Sequence, residues 1–212
     1  NVYIVSPTES RNGEITHFIE EEKCKILKVH TGNIQKTNLI EKSISTLLLE
    51  GQFVNAIKRY LSDVKFDLVL YSTPPITLAN AVEYIKKRDD AKTYLLLKDI
   101  FPQNAVDMEM MSRKGIEKPI YELFRNKEKK LYNISDRIGC MSPANVKYVL
   151  DNNPYISNEK VEVCPNSVEP IDMSVSYADK RKMREKYGIP QDKTVFVYGG
   201  NLGKPQGIPF LI

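Results

Sequence analysis

Short apolar runs alternate with helix-patterned segments along most of this chain, and that alternation constrains its architecture more than any other feature. "FDLVLYS" (66–72) is a nearly uninterrupted apolar run of the kind that fills a buried parallel strand. "ITLANAVEYIKKR" (76–88) follows through Pro74-Pro75 and has a helical period. Proline at a helix start sacrifices no hydrogen bond, because the first amides have no intrahelical partner. "KTYLLLKD" (92–99) reads as the next strand, and Ile120–Tyr132 as a helix with Leu123, Phe124, Leu131 and Tyr132 on related faces. "DRIGCMS" (136–142) is a strand, "PANVKYVLDNN" a helix with Ser142 as its N-cap and Pro143 at its first position, and "KVEVCPN" (160–166) a further strand. Upstream, Val2–Val5 is a short strand closed by the turn-rich "SPTESRNG", and Lys25–Val29 alternates apolar and charged residues like an edge strand. Residues 41–62 have a helical period through Ile44, Leu47, Leu48, Phe53, Ile57 and Leu61. Strand–helix–strand alternation with short connections specifies an α/β protein: a Rossmann-like parallel sheet with helices on both faces.

The order of segments predicts a first domain over 1–168, a linker and helix over 169–193, and over 194–212 the start of a second domain. That last stretch opens with "TVFVYGG", read as the first strand of the second domain. The first residues, "NVYIV", enter a strand with neither an initiator methionine nor a signal peptide, and a glycine-rich loop stands almost at the last residue. The chain therefore reads as cut at both ends.

Bulk properties exclude several classes. Thirty-one basic against 27 acidic residues, a net charge of +4, is too balanced to argue for nucleic acid. Cys24, Cys140 and Cys164 form no CxxC pair and read as small buried residues of a reducing cytosol. With His17 and His30 the only imidazoles, a histidine-rich metal centre is excluded. No run approaches the 18 or so consecutive apolar residues that read as a spanning helix. Asp89-Asp90 sits in a helix-terminal turn, no Asp-x-Asp appears, and no serine–histidine or cysteine–histidine arrangement supports covalent catalysis.

In open parallel sheets ligands bind beyond the carboxyl ends of the strands. That rule selects Ser72–Pro75, Lys98–Pro102, Ser142 and Asn166. Lys98-Asp99 closes an apolar strand; the pair reads either as cleft residues or as a surface lysine beside an aspartate that caps the next turn. Ser142 reads as a cap or a contact. Gly200, Asn201, Gly203 and Lys204 form a loop able to bring backbone amides to a phosphate, or a plain turn. Its spacing fits neither a P-loop nor the dinucleotide fingerprint. "VDMEMMSRKGIEKPIYELFRNKEKK" mixes methionines and aromatics with Lys and Arg, as a segment lying on an anionic membrane does, or as a core-facing helix with solvated lysines does.

Taken together, "FDLVLYSTPP", "LLLKDIFPQNAV", "DRIGCMSPANVKYVL", "KVEVCPNSVEP" and "VYGGNLGKPQG" resemble, in order and rough spacing, the bacterial retaining glycosyltransferases of family 4. The branch they resemble builds capsular, exopolysaccharide and O-antigen sugars. The resemblance implies the two-domain GT-B architecture, with a further strand, loop and helix ahead of Asn1 and most of the donor domain beyond Ile212. It implies catalytic roles for Lys98 and Asp99 (many relatives have histidine in place of the lysine) and acceptor contacts by Ser72, Thr73 and Ser142. It places the donor diphosphate at Gly200, Asn201, Gly203 and Lys204, and Asn166 at the hinge or donor. The partners implied are a nucleotide-sugar donor, a lipid-linked saccharide acceptor and the inner membrane surface. No nucleic acid, cofactor or metal is implied. The location implied is cytoplasmic, peripheral at the plasma membrane, and the chain alone is expected to be inactive. A sugar-nucleotide 2-epimerase and a non-catalytic nucleotide- or sugar-binding module are the competing readings.

Overall fold

Parallel strands form where the apolar runs stand in the sequence. The structure, a computed structural model, describes residues 1–34, 37–203 and 206–211. The chain divides into two compact units, Asn1–Pro165 and Asn166–Ile212.

The first unit holds two sheets. In the smaller, β1 (Val2–Glu9) pairs parallel with β3 (Cys24–Thr31), which pairs antiparallel with β2 (His17–Glu20). In the larger, β4 (Leu68–Thr73), β5 (Lys92–Leu97), β6 (Arg137–Cys140) and β7 (Val161–Val163) lie in that order, all parallel. Helices α1 (Leu39–Tyr60), α2 (Ala79–Asp89), α3 (Gln103–Asp107), α4 (Lys118–Ile134) and α5 (Pro143–Asn152) make the connections. The α/β class and the parallel pairing are as expected from the alternating pattern.

Three expectations are corrected. Lys25–Val29 is not an edge: β3 is the central strand of its sheet, because the short "HFIE" of β2 covers its other side. β1 continues through Pro7 to Glu9 and not into a loop. Proline, lacking an amide hydrogen, is tolerated there because β1 pairs on one side only among the described residues. Helices on both faces were also expected. Among the described residues of this unit, the strand side chains that reach the buried core share one face: Tyr71, Leu95, Leu97, Ile138, Cys140 and Val161 in the larger sheet, Tyr3, Val5, Leu27 and Val29 in the smaller. Against that face lie Leu49, Phe53 and Ile57 of α1, Ala81 and Ile85 of α2, Leu131 and Tyr132 of α4, and Val149 of α5. Each fully buried large apolar side chain contributes about 1.5–3 kcal/mol relative to exposure. On the other face Val2, Ile4, Leu68 and Leu70 are 43–59% exposed.

β1 and β4 stand next to each other without a hydrogen-bonded ladder between them. The ring of Tyr3 meets that of Phe66 edge-on at 5.6 Å, and both sheets rest on the same core of α1 and α2. A cavity of about 860 Å³ lies at this seam, lined by Asn1–Val5 of one sheet and by Asp63–Leu68 and Leu70 at the other. The amino ends of β1 and β4 thus share one end of the unit, and the carboxyl ends the other.

The helix starts follow local chemistry. Ser142 caps α5 by accepting from the Asn145 amide at 3.2 Å, as predicted, and Asn38 caps α1 by accepting from Glu41 at 2.8 Å. Pro74-Pro75 leads first into a single 3₁₀ turn, Ile76–Leu78, before α2 begins.

In the second unit, α6 (Tyr177–Lys186) is capped by Ser176 and ends at Gly188, whose φ of 63° suits a residue without a Cβ. A four-residue α7 (Ile208–Leu211) follows. Thr194–Gly200, expected as a strand, forms none: no strand occurs among the described residues of Asn166–Ile212. A strand exists only by pairing, and no described segment forms a backbone ladder with "TVFVYGG", whose Phe196 and Val197 are 91% and 88% exposed.

Candidate functional site

The polar residues of the first unit converge beyond the carboxyl end of β5. There Lys98 and Asp99 leave the strand, and the Asp99 carbonyl accepts from the Thr73 hydroxyl at 3.1 Å, which ties the ends of β4 and β5 together. Ile100 and Phe101 turn back into the core, where Phe101 meets Phe124 of α4 edge-on at 5.0 Å. That anchor fixes the start of α3. From the neighbouring strand end, the Ser142 cap sets α5 so that Asn145 and Tyr148 face the same space.

The result is a cleft of about 260 Å³ lined by Lys98, Asp99, Ile100, Gln103, Asn104, Asp107, Asn145 and Tyr148. All but Ile100 carry a hydrogen-bonding side chain. Gln103 donates to Asp107 at 2.5 Å and accepts from Arg113, whose guanidinium also stacks over the ring of Tyr121. Asn104 Oδ1 is buried with no hydrogen-bond partner among the described residues. Burial pushes the Tyr148 phenol up, so it stays a neutral hydrogen-bonding group at physiological pH.

A buried polar brace holds α5 to α4 behind this cleft. Glu128 accepts from Tyr132 at 2.7 Å and from Arg125 at 2.5 Å, and Arg125 also donates to Asn153 Oδ1 at 2.7 Å and to the Asn152 carbonyl at 3.0 Å. Burial raises the Glu128 carboxyl even though Tyr132 and Arg125 pull it down. The brace serves position and is closed to ligand, since Glu128 is 4% exposed.

The cavity at the β1/β4 seam is larger than the cleft, yet it lies at the amino ends of the strands, lined by strand residues such as Val2, Ile4, Leu68 and Leu70 and by the segment Asp63–Asp67 ahead of β4. Parallel sheets present ligands at their carboxyl ends, where strand carbonyls, loop side chains and helix starts converge. The smaller cleft, at the carboxyl ends, is therefore the candidate site.

Of the residues predicted from sequence, the structure brings Lys98 and Asp99 together in this cleft. Thr73 is 2% exposed and supports Asp99 from beneath. Ser72 is half-buried on the face of β4 away from the helices, and Ser142 is engaged as a cap. Asn166, Gly200, Asn201 and Gly203 are exposed residues of the second unit, and Lys204 lies outside the described residues. There the Tyr198 hydroxyl donates to the Asn201 carbonyl at 2.6 Å. Sequence reasoning did not name Gln103, Asn104, Asp107, Asn145 and Tyr148. A signal was present: the polar "QNAVD" immediately beyond the selected strand end, and the Asn and Tyr one and two turns into the helix that Ser142 caps.

No protein-family model matches the chain, and a search of curated proteins found no match.

Proposed function

We propose that the first unit is the acceptor-side domain of a nucleotide-sugar-dependent glycosyltransferase that acts with retention, and that the cleft at Lys98–Tyr148 receives a saccharide acceptor. The cleft carries this reading: beyond the carboxyl ends of a parallel sheet it offers amide, carboxylate, phenol and ammonium groups, with Ile100 the one lining residue that has no hydrogen-bonding side chain. Such a lining suits a ligand that presents many hydroxyls, each able to donate and accept. The five ordered motifs that resemble family 4 glycosyltransferases support the same reading. In it Asp99 orients or deprotonates the acceptor hydroxyl and Lys98 stabilises charge on an acceptor phosphate or on the leaving diphosphate. Gly200, Asn201, Gly203 and Lys204 supply donor-phosphate contacts, and Asn166 a hinge or donor contact. The acceptor is lipid-linked, and the setting is bacterial surface-polysaccharide synthesis.

Saturation-transfer NMR with a panel of methyl hexosides and methyl N-acetylhexosaminides tests the cleft directly. The expected result is transfer to at least one glycoside, reduced by Asp107→Ala and by Asn104→Ala. No transfer to any glycoside, or transfer unaffected by both substitutions, overturns the assignment of the cleft.

A further inference from the structure

The segment that follows α3 forms a second hollow beside the candidate site. Gln103, Asn104 and Asp107 of α3 line the cleft, whereas Val106 and Glu109 line a hollow of about 390 Å³ that has Met111, Ser112 and Arg113 among its walls. The Arg113 guanidinium donates to Gln103, so the rims of cleft and hollow meet at a single hydrogen bond. Local contacts hold the loop in this shape. The Ser112 amide donates to Glu117 at 2.6 Å, the Lys114 amide donates to the Ser112 hydroxyl at 3.1 Å, and Arg113 lies over the ring of Tyr121. Val106 and Met111 supply apolar wall, and Glu109 and Arg113 supply hydrogen-bonding groups.

The backbone at Glu109 sets this hollow apart. α3 ends in a Schellman turn, in which the Met110 amide donates to the Ala105 carbonyl at 2.8 Å and the Glu109 amide to the Val106 carbonyl at 3.0 Å. That turn holds Glu109 in the left-handed region, at a φ of 54°. Glycine is the usual residue there, because a Cβ crowds the following carbonyl. Among the described residues the other non-glycine at positive φ is Asp90, whose short polar side chain tolerates the region. Glutamate lacks that advantage. A side chain kept at a steric cost, on the wall of a hollow, marks a position where the side chain itself is used. Size points the same way. The cleft's 260 Å³ falls just below the roughly 300–1,000 Å³ of a small-molecule site and the hollow near its lower end, while the two joined lie well within it. We infer that the hollow is a second saccharide subsite, and that cleft and hollow together take at least two linked sugar rings. The terminal ring lies at Lys98 and Asp99. The next ring crosses the Gln103–Arg113 rim, its hydroxyls on Glu109 and Arg113 and its C–H face on Val106 and Met111. A pyranose suits such walls because it carries hydroxyls around its edge and an apolar face. This subsite rests on the reading of the cleft as a saccharide site, and it adds a minimum length to the acceptor.

NMR titration of the 212-residue chain with matched methyl glycosides tests the subsite. The pairs are glucoside against maltoside and cellobioside, galactoside against lactoside, and N-acetylglucosaminide against chitobioside. At least one disaccharide is expected to bind about tenfold or more tightly than its monosaccharide, as joined subsites do. Glu109→Gly is expected to bring that disaccharide down to the level of its monosaccharide without lowering the thermal midpoint, because glycine relieves the left-handed turn. A residue needed only for the fold would show the reverse, a lower midpoint with the preference intact. Ser112→Trp, which fills the hollow from an exposed position, is expected to abolish the preference as well. Monosaccharides that bind as tightly as every disaccharide overturn the second subsite and leave the cleft assignment standing. So does a disaccharide preference that survives both Glu109→Gly and Ser112→Trp, since both rings would then lie elsewhere. Absence of binding by every glycoside overturns the cleft assignment and the subsite with it.

Discussion

Asn1–Pro165 and Asn166–Ile212 are both rich in apolar residues, yet they use them differently. In the first unit Leu95, Ile138, Tyr132 and Val149 are wholly or almost wholly removed from water. In the second, Val168, Ile171, Met173, Tyr177, Phe196 and Val197 stay 77–91% exposed, and none of its described residues is buried. Apolar composition thus supplies the material of a core but not the core. What the first unit has, and the second lacks among the described residues, is paired strands that hold their side chains against helices at fixed spacing. Without a ladder, "TVFVY" has the side chains of a strand and no reason to stay extended.

Substitution in matched pairs is the sharpest way to break this contrast. Tyr132→Ala in the first unit should cost about 3–5 kcal/mol of unfolding free energy, whereas Phe196→Ala should stay within about 0.5 kcal/mol. Urea titrations followed by circular dichroism measure both, and equal losses would erase the distinction.

Next in size is Arg125→Ala, expected to cost about 3 kcal/mol because it strands the Glu128 carboxylate in the interior, against about 0.3–0.5 kcal/mol for Arg181→Ala, which removes an exposed pair with Glu185. The Arg125 effect carries a pH signature. Burial already raises the folded-state Glu128 above its unfolded value. Its contribution is therefore most favourable when protonated, in acid, and is lost as pH rises through the folded value. Losing the guanidinium raises that value further, so the cost of Arg125→Ala should shrink at acid pH and grow toward neutrality. A cost that does not vary with pH would place the effect in packing.

A smaller effect separates two caps of the same design. Ser142→Ala should lower the stability of the first unit by about 1 kcal/mol. Ser176→Ala removes an equivalent bond from Asp179 but should reduce helicity alone, without moving a cooperative midpoint, because α6 buries no residue. The smallest effect is expected for Glu83, which hydrogen bonds from Lys130 and Lys87 hold down to about 2. This group stabilises the fold above the ordinary glutamate value of about 4.3 and loses that contribution as pH falls toward its folded value. Glu83→Gln should therefore cost less than about 1 kcal/mol at neutral pH and converge with the parent chain in acid. Parallel acid titrations of the two proteins check the convergence.

The sequence was legible where one interaction dominates. "LVLYST", "KTYLLL" and "RIGC" became strands of one parallel sheet because apolar runs of that length pair and bury together, and Ser142 was recognisable as a cap from its side chain and the proline after it. Four-residue "HFIE" was not legible, being too short to show a period, and missing it made β3 look like an edge. The cleft was half legible. Strand ends point to Lys98 and Asp99, but Asn145 and Tyr148 reach it only through the tilt of α5, which the Glu128–Arg125–Asn153 brace sets across 25 residues of sequence from Glu128 to Asn153. No local pattern encodes such a distance.

The seam between β1 and β4 has a mechanical consequence. Within each sheet, in-plane shear is resisted by a row of backbone hydrogen bonds, which are directional and nearly inextensible. Across the seam, among the described residues, no strand ladder carries the load, and contact is by side chains such as Tyr3 against Phe66 and those seated on α1 and α2. Contacts of that kind resist compression but slide under shear. In the first unit, the line from Asn1 to Leu70 is therefore where resistance to shear rests on side-chain packing alone, whereas the cleft stands at the end of a continuous ladder from β4 to β7.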